Sequence, residues 1–229
     1  MLLDNTDIKN FGAIMMNKSI QPATIESLYA WLPKSLLPSF LNQKFSFVTI
    51  ETQLYFKGIN EEDIKSKVSS LISKSKDCII NFGDNFYYKA FLIGSNCENT
   101  LRKETKKLTL NFISYCYKSE IIEAVNRIAS KTINVPGNLD TPAIVEITPS
   151  ISLVDLVVTG LGETFTIKNL TTGQKVIISG EDCTVLQNGV NKFGDYDSWD
   201  FPKLQPGSNT ITFSKSSCDI SIKYKPRWI

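Results

Sequence analysis

Alternation of apolar and polar residues predicts several strands in the first half of the chain. The stretch 45–56 alternates over most of its length, which is typical of a strand with one buried face. Its apolar face carries Val48, Ile50, Leu54 and Phe56. The runs 78–82, 86–93 and 108–116 predict further strands, and the turn at 83–85 joins the first two as a hairpin.

One helix is predicted to cross between these strands. Asn60 can cap its first turn, because a side-chain oxygen at that position accepts a backbone N–H. Three acidic residues follow, where the positive end of the helix dipole favours them. An apolar stripe at helical spacing comprises Ile64, Val68, Leu71 and Ile72, and the helix is predicted to end near Lys76. The first half therefore indicates an α+β domain, a sheet or sandwich crossed by one helix.

Two segments of the first half allow more than one interpretation. Residues 24–41 are rich in large apolar side chains, but Pro33 and Pro38 exclude one continuous helix. We interpret the segment as partly irregular, either covering a sheet edge or contacting another subunit. Residues 120–131 fit a helix or a strand equally well.

The second half changes character and predicts a β-sandwich or jelly roll. Its short β runs are 143–148, 151–158, 164–168, 174–179, 183–187, 209–213 and 218–224. Turn signals separate these runs, and Asn188-Gly189 is a strong hairpin turn. Seven strands in fewer than 100 residues favour two packed sheets. The turn-rich stretch around Pro136 predicts a domain boundary, with domains at 1–135 and 136–229.

Composition argues against most catalytic and nucleic-acid functions. The 229 residues carry 25 Lys and Arg against 23 Asp and Glu, which indicates no specific nucleic-acid binding. The sequence contains no histidine, so Ser–His and Cys–His nucleophile pairs and His-ligated metal sites are excluded. Five widely spaced cysteines without a C-x-x-C motif argue against a zinc site or a disulfide framework.

No export or membrane signal is recognisable in the sequence. The N-terminus lacks the basic leader and apolar stretch of a signal peptide, so we expect synthesis in the cytosol without export by that route. No window approaches the ~20 apolar residues that a membrane helix requires. We therefore expect no membrane partner.

The segment 194–200, Gly-Asp-Tyr-Asp-Ser-Trp-Asp, is the best candidate for site chemistry. Asp195, Asp197 and Asp200 could hold calcium, or act as a glycosidase pair, but a solvated turn is the favoured interpretation. Tyr196 and Trp199 could stack on a sugar ring. For Trp199 we favour a buried position at the end of the sandwich core. No catalytic, cofactor-binding or metal-binding residue is assigned.

Several motifs, in order, resemble those of bacteriophage distal tail proteins. The stretch Trp199-Asp200-Phe201-Pro202-x-Leu204-x-Pro206-Gly207-x-Asn209-x-Ile211 is similar to a family segment of the form W-x-x-F-P-x-L-x-P-G-x-N-x-I. The segment from Ile133 to Asn138, followed by Pro142 and Val145-Glu146-Ile147, resembles the family's interdomain sequence. Tyr87-Tyr88-Lys89-Ala90, Cys116-Tyr117-Lys118 and Pro226-Arg227-Trp228 also fit. The resemblance covers nearly the whole chain.

The resemblance implies a structural role at the end of a long non-contractile phage tail. Members of the family form a hub in the virion tail tip, assembled in the host cytoplasm. Their N-terminal domains close into a six-fold ring that continues the tail tube, and a galectin-like or carbohydrate-module-like β-sandwich projects outward. The implied partners are further copies of the chain, the major tail-tube protein, a tail-associated lysin or spike hub protein, and receptor-binding proteins. Glycan binding by the C-terminal sandwich is the alternative function, and enzymatic activity is not expected.

Overall fold

The computed structural model describes residues 1–102 and 104–229, which form two compact units. Unit 1 comprises Met1–Tyr117 with Ile229, and unit 2 comprises Lys118–Trp228. Lys103, which belongs to a small basic cluster with Arg102, Lys106 and Lys107, lies outside the described residues. Within the described part of the chain, no helix combines the length and apolar character needed to cross a bilayer.

Unit 1 is built on one antiparallel sheet. Its strands are β1 (Leu2–Leu3), β2 (Thr6–Asp7), β3 (Ala13–Gln21), β4 (Ile25–Ala30), β5 (Ser39–Phe45), β6 (Val48–Lys57), β7 (Asp77–Asn81), β8 (Tyr87–Asn99) and β9 (Thr105–Tyr117). Seven of them pair in the order β2-β1-β7-β8-β9-β6-β3. A short 3₁₀ helix, Ile8–Phe11, follows β2.

The helix α1 (Glu61–Ser75) connects β6 to β7 and packs on one face of this sheet. The side-chain oxygen of Asn60 accepts the backbone N–H of Asp63 at 2.8 Å, as predicted for the cap. Ile64 and Leu71 of the helix are fully buried. The buried face of the sheet carries Ile50, Leu54, Phe56, Leu108, Leu110 and Phe112. The predicted helix and the strand alternation around it are confirmed.

Strands β4 and β5, which lie between β3 and β6 in the sequence, pair with each other as a separate two-stranded sheet. Residues 24–41 are therefore not irregular along their whole length, because most of them belong to a long β-hairpin. Pro33 and Pro38 lie in the connection between the two strands, where a missing backbone N–H breaks no ladder.

Unit 2 is a sandwich of two antiparallel sheets. The strands of the sandwich are β10 (Ile121–Asn126), β11 (Ser130–Val135), β12 (Thr141–Pro149), β13 (Leu153–Thr159), β14 (Phe165–Leu170), β15 (Val176–Ser179), β16 (Thr184–Gln187), β17 (Val190–Asn191), β18 (Tyr196–Asp197), β19 (Lys203–Leu204), β20 (Gly207–Phe213) and β21 (Cys218–Tyr224). A last short strand, β22 (Arg227–Trp228), belongs to neither sandwich sheet. One sheet has the order β10-β21-β12-β15-β16-β17, with β19 paired to β12. The other has the order β11-β20-β13-β14-β18. A 3₁₀ helix, Phe193–Asp195, precedes β18.

A single apolar core fills the space between the two sheets of unit 2. Val145, Ile147 and Ile222 face inward from one sheet, and Leu156, Ile167 and Ile211 face inward from the other. The turn at Asn188-Gly189 has φ values of +48° and +80°, as the predicted hairpin requires. The predicted fold class, mainly β with one crossing helix and a C-terminal sandwich, is confirmed.

The structure groups residues 118–135 with the sandwich. Strand β10 pairs with β21 over Ile121–Asn126, and β11 pairs with β20 over Ser130–Val135. This grouping differs from the boundary predicted between residues 135 and 136, because the turn-rich stretch at Pro136 connects two strands of one sandwich. The ambiguous segment 120–131 contains strand β10 and the beginning of β11, and no helix is described within it.

Candidate interaction surfaces

The hairpin of β4 and β5 exposes the largest concentration of apolar side chains in unit 1. Every residue of β5 is exposed, and in β4 only Ala30 is half-buried. The exposed apolar residues of the hairpin and its connection are Ile25, Leu28, Tyr29, Trp31, Leu32, Leu36, Leu37, Phe40, Leu41 and Phe45. The hairpin therefore does not cover a sheet edge in the monomer.

Hydrogen bonds give the tip of the hairpin a defined shape. The indole N–H of Trp31 donates to the backbone oxygen of Ser35 at 3.0 Å. The Ser35 hydroxyl donates to the backbone oxygen of Leu37 at 2.6 Å. Leu36 between them is 92% exposed. These contacts hold the turn together while the leucine side chains project into solvent.

The strands of the hairpin are joined by side-chain pairs as well as by the backbone. The rings of Tyr29 and Phe40 lie 6.2 Å apart, and Lys44 forms an ion pair with Glu26 at 3.0 Å. Contiguous exposed apolar surface of this kind is rare on soluble monomers and marks contacts with other proteins. The geometry favours the second interpretation of residues 24–41, a contact with another subunit.

In unit 2 the structure overturns the expected burial of Trp199. Its side chain is 93% exposed, in the loop between β18 and β19. The end of the core is filled instead by Tyr196, which is 7% exposed, and by Phe201, which packs against the core cluster. Trp199 was misassigned because residue spacing predicts burial only within regular strands and helices, whereas each side chain of a loop can point either way.

Tyr196 is held by stacked rings and by one hydrogen bond. Its ring lies 5.4 Å from that of Phe165 and 5.6 Å from that of Phe201. Its hydroxyl donates to the backbone oxygen of Asp200 at 2.7 Å. Burial raises the pKa of Tyr196 to about 12, because the phenolate would lose its hydration. The sequence shows that this segment is rich in aromatic residues, but it does not distinguish the packed Tyr196 and Phe201 from the exposed Trp199.

The three aspartates of this segment do not converge. Asp195 pairs with Lys192 at 2.7 Å, Asp197 with Lys168 at 3.1 Å, and Asp200 with Lys203 at 2.7 Å. The hydrogen bond from Lys192 lowers the pKa of Asp195, and the hydrogen bond from Lys203 lowers the pKa of Asp200. Among residues 1–102 and 104–229, no three Cys, Asp or Glu side chains are grouped as metal ligands. The arrangement consists of three separate surface ion pairs.

Comparison with known proteins finds a family similar to the C-terminal unit. Residues 136–228 match the family model described as the siphovirus-type tail component, C-terminal domain. This part of the chain is similar to that family. The tail component domain thus accounts for most of the sandwich, and the resemblance to phage distal tail proteins is confirmed. No curated protein matches the chain in sequence.

Solved structures extend the similarity from the tail component domain to the whole chain. The crystal structure of the Dit protein of phage SPP1, described as a paradigm of the hub adsorption apparatus in phages infecting Gram-positive bacteria, superposes with a TM-score of 0.77 at 13% identity. The match covers 100% of this chain and 98% of that one. A chain of the phage P2 baseplate in its activated conformation with calcium matches with a TM-score of 0.57 at 12% identity, over 96% of this chain and 92% of that one. At these identities the comparisons establish the shared fold.

Proposed function

We propose that this protein is the structural hub of a siphophage tail tip. The observation that carries the proposal is the likeness of the whole chain, through both units, to the hub protein of phage SPP1. In this proposal six copies close into a ring that continues the tail tube, in the virion tail tip, after assembly in the host cytoplasm. A ring needs a heterologous interface, in which one surface of a subunit binds a different surface of the next.

The N-terminal unit is the proposed ring-forming domain, and its hairpin is the proposed contact. In a monomer, Leu36 and Leu37 contribute no hydrophobic stabilisation, because their side chains remain in water. Burying them against a neighbour stabilises the assembly by about 25 cal/mol for each Å² of apolar surface removed from water. The C-terminal sandwich, projecting from the ring, is then available to other tail proteins. The proposed partners are the tail-tube protein, a tail lysin or spike hub protein, and receptor-binding proteins.

The proposed role is not enzymatic. Asp195 and Asp200 both have lowered pKa values, whereas a glycosidase needs one carboxyl group that stays protonated near neutral pH. We expect no loss of turbidity when the purified protein is incubated with cell walls. Hydrolysis that disappears in an Asp195→Asn/Asp200→Asn variant would contradict the structural role.

Light scattering of the full-length protein tests the ring. We expect a mass of about six times the 25.7 kDa of one chain, and closed rings in electron micrographs. A variant with Leu32, Leu36 and Leu37 changed to serine should have a monomer mass at the same concentration. Its circular dichroism spectrum should match that of the wild type, because all three side chains are exposed.

A matched control removes exposed apolar side chains from unit 2. Val154→Ser/Val190→Ser changes residues that are as exposed as those of the hairpin tip, but it should leave the ring intact. A hairpin variant that still forms rings would show that the ring contact lies elsewhere in unit 1. A strictly monomeric wild-type chain, alone and with its tail-tube partner, would contradict the ring.

The exposure of Trp199 favours a second candidate function, glycan binding by the sandwich. An indole that is almost fully exposed costs free energy in the free protein, and indole rings commonly stack on the apolar face of a sugar. Sedimentation with purified host cell walls should then be weakened by Trp199→Ala and unchanged by Val154→Ala, which changes an exposed residue of β13. Equal sedimentation of both variants and the wild type would contradict a role for Trp199.

A further inference from the structure

The sandwich contains a polar cleft that no step of the proposed hub function uses. Its volume is about 660 Å³, and it lies between strands β15 to β17 and the 3₁₀ helix at Phe193–Asp195. Its polar lining residues are Gln174, Gln187, Asn188, Asn191, Lys192 and Asp195. The volume falls in the range of small-molecule sites, about 300–1,000 Å³, but the lining is far more polar than is usual.

The four amide side chains of this cleft retain free hydrogen-bonding capacity. The Gln187 amide N–H donates to the side-chain oxygen of Gln174, which leaves the amide nitrogen of Gln174 and the oxygen of Gln187 available. The Asn191 oxygen accepts the backbone N–H of Phe193, so its amide nitrogen is free to donate. The Asn188 amide has no hydrogen-bond partner in the described part of the chain. The cleft therefore offers both donors and acceptors to a ligand.

The charges of the cleft cancel locally. Lys192, whose side chain is 10% exposed, donates to Asp195 at 2.7 Å and to the backbone oxygen of Asn169 at 3.1 Å. Asp195 also accepts the Asn169 amide at 2.7 Å. Among the described residues, no further charged side chain lines the cleft. An anion would find no uncompensated positive charge, and a cation would find no cluster of free carboxylates.

One aromatic residue, Phe193, interrupts the lining in the sequence without being part of it. Phe193 stands between Lys192 and Gly194 in the chain, two residues that line the cleft. Its ring stacks on Phe201 at 6.2 Å with an angle of 22° between their planes, and it lies 6.1 Å from Tyr196. The ring is 39% exposed, so one part is fixed by the core while another stays open to solvent.

We propose that this cleft binds a neutral saccharide. Planar amides match neighbouring hydroxyl groups, which donate and accept in the same way. The absence of unpaired charge in the described lining disfavours phosphorylated ligands, and Val190 supplies too little apolar surface for a lipid or an apolar helix. The inference rests on the second candidate function, glycan binding by the sandwich, but assigns it to residues other than Trp199.

Saturation-transfer NMR on the full-length protein tests this inference. The probes are glucose, galactose, N-acetylglucosamine and their neutral trisaccharides, with inorganic phosphate as a charged comparison in a competition experiment. We expect saturation transfer to at least one neutral sugar, and no displacement by phosphate. A Gln174→Ala/Gln187→Ala variant should bind that sugar about tenfold more weakly, since two hydrogen bonds are lost. Gln205→Ala, the same chemical change outside the cleft, should bind like the wild type.

The possible outcomes separate the cleft, Trp199 and the hub. Sugar binding that survives in the double glutamine variant but disappears in Trp199→Ala would contradict saccharide binding by the cleft. It would instead support glycan binding at Trp199. No transfer to any of the sugars overturns the cleft. Competition by phosphate at a similar concentration also overturns it, because the ligand would then be an anion. None of these results changes the ring mass, so the hub proposal is tested independently.

Discussion

Tyr196 and Trp199 lie three residues apart in one loop, but their environments are opposite. Tyr196 is packed between Phe165 and Phe201, and its hydroxyl is bonded to the backbone of Asp200. Within the described part of the chain, Trp199 makes no comparable contact, and its side chain is open to water. At the scale of the residue, the loop therefore places one aromatic side chain in the core and another in solvent. Two substitutions test this division.

Trp199→Ala should leave the stability of the protein nearly unchanged. A surface substitution of this kind changes the free energy of unfolding by less than about 0.5 kcal/mol. Leu204→Ala, five residues later, should destabilise the sandwich by about 2–5 kcal/mol, because Leu204 is fully buried. Thermal unfolding of both variants beside the wild type provides the comparison. A large loss of stability in Trp199→Ala would mean that the indole is packed in solution.

Tyr196 should make stability fall at high pH. Its folded pKa of about 12 exceeds the unfolded value of about 10, so the unfolded chain loses its proton first as the pH rises. The contribution of Tyr196 to the free energy of unfolding is therefore complete below pH ~10 and is lost between about pH 10 and 12. Urea unfolding should show that the difference in free energy of unfolding between wild type and Tyr196→Phe becomes smaller over that pH range. Tyr29→Phe, which removes an exposed phenol, is the control, and a constant difference would contradict the prediction.

At the scale of the element, strands and the helix were predictable wherever an element buries one face. The alternation of 45–56 and the stripe of Ile64, Val68 and Leu71 each reflect contact with the core. The hairpin of β4 and β5 was missed as regular structure, because it buries neither face and its pattern therefore lacks a period. Short strands such as β17 and β19 contain two residues each, which is too few for any periodic signal.

The cap of α1 offers a test of local stability. Asn60→Ala removes the acceptor for the Asp63 backbone N–H and should cost about 1 kcal/mol. Denaturant unfolding of the full-length protein, followed by circular dichroism, measures the loss. Asn96→Ala, which removes an exposed asparagine from β8, should change the free energy of unfolding by only a few tenths of about 1 kcal/mol. Equal effects of the two substitutions would show that the cap contributes nothing specific.

At the scale of the whole molecule, the assignment of residues 118–135 is what sequence reasoning could not supply. Turn signals at Pro136 predict a boundary, but turns inside a sandwich and linkers between domains use the same residues. The pairing that groups residues 118–135 with the sandwich depends on partners about 80 residues away, such as β11 with β20. The candidate surfaces were predictable in part: segment 24–41 was identified, whereas the amide cleft combines residues with no shared motif.

Two fragments test this assignment. Residues 118–228 should unfold cooperatively on their own, because both sheets and their shared core are complete. Residues 136–228 lack β10 and β11, and with them the buried side chains Val125, Ile133 and Val135, each contributing about 1.5–3 kcal/mol of burial. We expect the shorter fragment to aggregate or to unfold at a much lower temperature. A shorter fragment that is equally stable would place the boundary at residue 136.

The chain enters and leaves the sandwich through two strands that lie side by side. Ile121 at the start of β10 is paired with Tyr224 at the end of β21, so both ends of the unit meet at one point. A pulling force applied across these ends would act on a single pair of strands and bypass the remaining core. Evolution could likewise exchange everything between these two strands for another sandwich without altering where the chain enters and leaves. The unit therefore has the properties of a self-contained domain whose two chain ends lie next to each other.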